Sequence, residues 1–162
     1  MDEIKNRWTG KVMCGGLSLK VVVEDHRKWI HGDESGSRAV LSDADLRGAV
    51  LRDADLRDAV LSGVPSIPNI HQAVYAAATQ CDTSLDMSTW HTCETTHCRA
   101  GWVIALAGEG GAAMEFCMGT PAAAALIYLK SDPSIEKIPD FYCDNETALA
   151  DMKRLAEQEA AK

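Results

Sequence analysis

The chain has 162 residues, 46% of them hydrophobic, and a formal net charge of −8. That length suffices for a buried core, and the apolar share argues against disorder. The acidic balance supplies no basic face for DNA or RNA, and no apolar run approaches the roughly 20 residues that span a bilayer.

The start, Met1 to Lys5, lacks the apolar core of a secretory signal, so a cytoplasmic location is expected. The six cysteines are then read as reduced thiols, not as three disulfides. In chain order, Arg7–Met13 and Leu17–Val23 read as strands, the second stiffened by Val21, Val22 and Val23, with Gly15 and Gly16 as the turn between them. A short helix over Glu24–His31 and a Gly/Ser-rich loop to Ser37 follow.

From Ala39 to Gly63 the sequence repeats in fives: Leu at 41, 46, 51, 56 and 61, and Ala at 39, 44, 49, 54 and 59. A period of five fits neither the 3.6 of a helix nor the 2 of a strand, and on a helix those leucines would scatter without forming a stripe. An internal repeat is therefore assigned.

This pattern resembles the pentapeptide-repeat family, often summarised as A-(D/N)-L-x-x. The resemblance implies a right-handed, four-sided β-helix of about one coil, with Leu on the axis, Ala at the inner corner and the Asp and Arg positions outside. A single coil cannot cover its own ends. Capping by the N-terminal strands, by the region that follows, or by a second copy in a homodimer is expected.

Beyond the Pro65–Pro68 linker the pattern turns helical. Asn69 is expected to cap a helix over Ile70–Thr79. Thr95 or Thr96 should cap one running to Ala107 with Gly108 as its stop, and a short helix spans Gly111–Met118. Thr120-Pro121 opens Ala122–Lys130, and Asp144 or Asn145 opens the last helix, to about Glu159. The expected fold class is thus α+β: residues 1–64 hold N-terminal strands capping the short β-helix, and residues 65–162 form a small helical domain.

The densest chemistry lies between Trp90 and Trp102. His91, Cys93, His97 and Cys98 are all zinc-ligand types, although four ligands within eight residues make an awkward tetrahedron unless Cys81, Cys117 or Cys143 joins them. A second reading makes Cys98 a reactive thiol in the first turn of a helix, with His97 or His91 as base. A third packs Cys93 and Cys98 in the core and leaves Glu94 and Arg99 at the surface; it is favoured because no orienting carboxylate or oxyanion site accompanies the thiol.

The Cys/His string, the Lys5–Gly10 start, and the Gly119–Ala123 and Ile138–Tyr142 stretches resemble small, uncharacterised phage- and prophage-encoded pentapeptide-repeat proteins. The resemblance implies a phage origin and carries no settled activity; a non-enzymatic protein-binding role against a host protein, for example in defence or DNA processing, is expected, with no cofactor. Two alternatives stand beside it. One is a DNA-mimic inhibitor, which the alternating Asp and Arg of the repeat disfavour but the acidic C-terminal half allows. The other is a zinc- or cysteine-dependent enzyme built on His91, Cys93, His97 and Cys98.

Overall fold

Leu19, Val22, Val23 and His26 recur at helical spacing, and together they form the inward face of helix α1 (Leu19–Ile30). A computed structural model describes residues 4–5, 17–41, 61, 63–89 and 95–162 of the chain. Five more helices follow: α2 (Ile70–Ala78), α3 (Arg99–Leu106), α4 (Gly108–Met118), α5 (Thr120–Ser131) and α6 (Asn145–Ala160). Among the described residues there is no strand, only an isolated parallel bridge between Leu85 and His97.

The expected α+β architecture, a right-handed β-helix capped by N-terminal strands, is therefore corrected: the described part of the protein is all-helical. Leu17–Val23 is not a strand. The β-branched run Val21–Val23 has only a modest strand preference, whereas helical winding buries Val22 and His26 together on one side. Glu24–Arg27 and Asp25–Lys28 ion pairs lie along the same helix. The predicted strand Arg7–Met13 and most of the repeat, residues 42–60, lie outside the described residues. At its margins Ala39, Leu41 and Leu61 are buried while Val40 is exposed.

After α1 the chain folds back on it. The Ala39 amide donates to Nδ1 of the fully buried His26 at 3.2 Å, and the His26 ring stacks on Trp29 with centroids 5.6 Å apart.

The centre of the helical part is α5. Every residue from Ala122 to Leu129 is buried, as expected of a helix apolar all round. It packs against α3 and α4, while α2 packs against α6 and α3. The alanines Ala122–Ala125 let neighbouring helices approach closely. Pro121 sits in the first turn, where its missing N–H leaves no helical bond unmade.

Helix ends follow the sequence unevenly. Asp144 caps α6 as expected, its Oδ1 accepting from the Thr147 amide at 2.8 Å. Asn69 precedes α2 in the left-handed conformation (φ 48°, ψ 51°) and makes no side-chain cap. The Gln72 amide in the first turn of α2 instead donates to Glu159 Oε2 on α6 at 2.9 Å, so one helix caps the other. Gly108 follows the Ala107 C-cap of α3 with φ +60°, the stop expected of it, and also begins α4. Among the described residues no helix is long and apolar enough to cross a membrane.

The α3–α4 elbow needs a glycine a little further on. A Cβ at Gly111 would lie 2.5 Å from the Ile104 carbonyl oxygen and 2.8 Å from Ala107 Cβ. Alanine normally favours a helix over glycine by about 1 kcal/mol, yet here the clash with backbone wins. Gly111→Ala should lower the free energy of unfolding in urea by about 1–3 kcal/mol; a neutral or stabilised variant would refute this close approach.

Candidate functional site

Of the four residues singled out in the Cys/His string, His91 and Cys93 lie outside the described residues. His97 and Cys98 are both buried. His97 meets Trp102 edge-on with ring centroids 4.6 Å apart, and its backbone exchanges hydrogen bonds with Ser84 and Asp86. The Trp102 indole N–H donates to the Ser84 carbonyl at 2.8 Å, which fixes the segment before α3 against the loop after α2.

Cys98, not Thr95 or Thr96, is the cap of α3, its Sγ accepting from the Gly101 amide at 3.3 Å. Burial raises the Cys98 thiol above its ordinary range, and hydrogen bonds from Gly101 and Ala100 offset only part of that. The pocket of Cys98 thus favours the neutral thiol. Among the described residues no three His, Cys, Asp or Glu side chains converge as a metal site.

The opposite holds at Cys81, which is exposed. Ser84 Oγ lies 3.1 Å and Thr83 Oγ1 3.3 Å from its sulfur. These contacts, Ser84 first, lower the thiol pKa.

Arg99, read from sequence as a surface group, is 1% exposed. Its Nε donates to Tyr128 Oη on α5 at 3.2 Å, and its Nη1 to Asp151 Oδ2 on α6 at 2.7 Å. Burial works against the Arg99 charge, but Tyr128 and Asp151 outweigh it and hold the guanidinium protonated. Burial likewise pushes the Asp151 carboxyl up, yet hydrogen bonds from Arg99 and Arg154 bring it below the usual range.

A second polar group also packs on Tyr128. His71 of α2 packs on that ring with centroids 5.6 Å apart, and its Nε2 bonds Asp132 Oδ2 at 3.0 Å. Burial raises the Asp132 carboxyl, but Ser134 and His71 outweigh it, so that it too lies below its ordinary value.

Arg99 and His71 contribute to the floor of a cleft of about 750 Å³ between α6 and the loop after α5. Ile135, Ile138, Pro139 and Leu155 give it apolar walls, and Arg154 and Lys162 stand at its rim. Sequence reading missed this group. Its one visible trace is that Arg99 is the only charge in the apolar stretch Arg99–Leu106.

Two outcomes check this description. In the native protein, iodoacetamide should modify Cys81 well before Cys98, as read by mass spectrometry; equal rates, or Cys98 first, would contradict the assigned environments. The second concerns acid. With Asp132 and Asp151 below their unfolded values, the unfolded chain binds more protons between those values, so stability rises with pH there. The stabilisation is complete above roughly pH 4–5 and is lost as pH falls through the lowered folded values. Asp151→Asn should therefore flatten the acid limb of the stability profile; an unchanged acid limb would dissociate Asp151 from Arg99.

Residues 37–64 match the family described as pentapeptide repeats (8 copies). No curated protein and no solved structure matches the chain. The protein thus carries a pentapeptide-repeat segment, which runs from the end of the loop after α1 to just before the Pro65–Pro68 linker.

Proposed function

We propose that this protein is a non-enzymatic binding module whose pentapeptide-repeat segment recognises a protein partner, with the helical part as its support. The observation that carries the reading is the family match over residues 37–64, because pentapeptide repeats commonly serve as protein-interaction modules. Between the leucines, the repeat alternates Asp43, Asp45, Asp53, Asp55 and Asp58 with Arg47, Arg52 and Arg57. Mixed charge of that kind selects a partner by complementarity and sets association rate more than affinity. On the finer reading, the protein is phage-derived and its partner is a bacterial host protein in defence or DNA processing.

The test replaces Arg47, Arg52 and Arg57 together by Glu, which leaves the Leu and Ala positions untouched. A tagged wild-type protein should retain one bacterial protein in stoichiometric amount, and the triple variant should retain it about tenfold less at an unchanged unfolding midpoint. Retention of that protein equally by both forms, or recovery of the bait alone, would overturn the proposal.

A further inference from the structure

Two buried polar atoms flank Tyr128 without a hydrogen-bond partner: Arg99 Nη2 and His71 Nδ1. Their side chains are 1% and 3% exposed, and both residues line the same cleft. An unmet donor on a buried guanidinium is costly, because its lost hydration is not replaced. The remaining bonds of both groups are already committed, Arg99 to Tyr128 and Asp151, and His71 to Asp132.

The acids around the floor are committed too. Asp151 accepts from Arg99 and Arg154. Asp132 takes His71, Ser134 and, at 3.7 Å, Lys162. Glu159 is used by the Gln72 amide. Lys137 also lines the cleft, as do Glu136, Asp140 and Glu159, so four cations meet five carboxylates there, and it is the unmet Arg99 Nη2, not the charge balance, that calls for an acceptor. The walls of Ile135, Ile138, Pro139 and Leu155 are apolar, and the volume falls within the range of small-molecule pockets.

The geometry points to a binding site for a small monocarboxylate with an apolar body. Its carboxylate satisfies Arg99 Nη2 at the floor, and its body lies against the isoleucines and Leu155. A dianion such as phosphate fits less well, since the five carboxylates of the lining outnumber its four cations. Arg154 and Lys162, both more than half exposed, supply positive charge at the rim. His71 Nδ1 is the second polar atom of the floor, able to accept from a ligand hydroxyl when the ring is neutral. This site lies in the helical part and does not depend on what the repeat segment binds.

The experiment titrates the folded full chain with hexanoate and, separately, with hexanol, following the Arg99 side-chain N–H and His71 ring signals by NMR. Hexanoate should shift both sets saturably, and hexanol should bind at least about tenfold more weakly, the difference expected for one charge-assisted hydrogen bond. Arg154→Gln with Lys162→Gln, both at exposed positions, should weaken hexanoate several-fold in a protein that still unfolds cooperatively. The inference is overturned if hexanoate gives no saturable shift up to its solubility limit, if hexanol binds equally well, or if inorganic phosphate binds more tightly than hexanoate.

Discussion

A guanidinium with 1% of its surface exposed must find its hydrogen-bond partners inside the protein, and the helical part is arranged around that demand at Arg99. Arg99 opens α3, and its partners come from two other helices, Tyr128 from the middle of α5 and Asp151 from α6. His71 of α2 also packs on Tyr128 and ties Asp132 at the end of α5. One buried ring is therefore flanked by two polar groups, each anchored by a carboxylate. A shift of α3 against α5 or α6, or of His71 against the end of α5, alters at least one of those bonds.

The apolar core and this polar network serve different ends. Burial of Ala122–Leu129 gives α5 its central place, but alanine-rich surfaces are smooth and set no register by themselves. Hydrogen bonds have fixed geometry, so the Arg99 and His71 contacts can select one arrangement among several of similar burial. The Glu159 contact with the Gln72 amide adds a second tie between α6 and α2, and Trp102 with Ser84 ties α3 to the loop after α2.

How much of this was legible in the sequence depends on whether the cause is local. Asp144 and Pro121 act on their own helix ends, and α5 and α6 fall close to where those residues place them. The repeat was legible because its period is unlike that of helix or strand. Leu17–Val23 misled because three valines in a row suggest a strand, while the decisive pairing of Val22 with His26 appears only when helical spacing is imposed. Arg99 was unreadable as a core residue, since its partners stand 29 and 52 residues away. The same distance hid the cleft, which joins residues from α2, α3, α6 and the loop after α5. Four possible ligands within eight residues drew attention to the Cys/His string; of the two that are described, Cys98 caps a helix and His97 packs on Trp102, while His91 and Cys93 lie outside the described residues.

The measurement that bears most directly on the Arg99 network is a double-mutant cycle of Arg99→Met and Asp151→Asn, read by urea unfolding at neutral pH. If the buried charge and its carboxylate organise the helices together, the two substitutions should couple by about 1–3 kcal/mol, with Asp151→Asn far less harmful once the guanidinium is gone. Additivity to within about 0.3 kcal/mol would show that Asp151 does not sustain the buried charge.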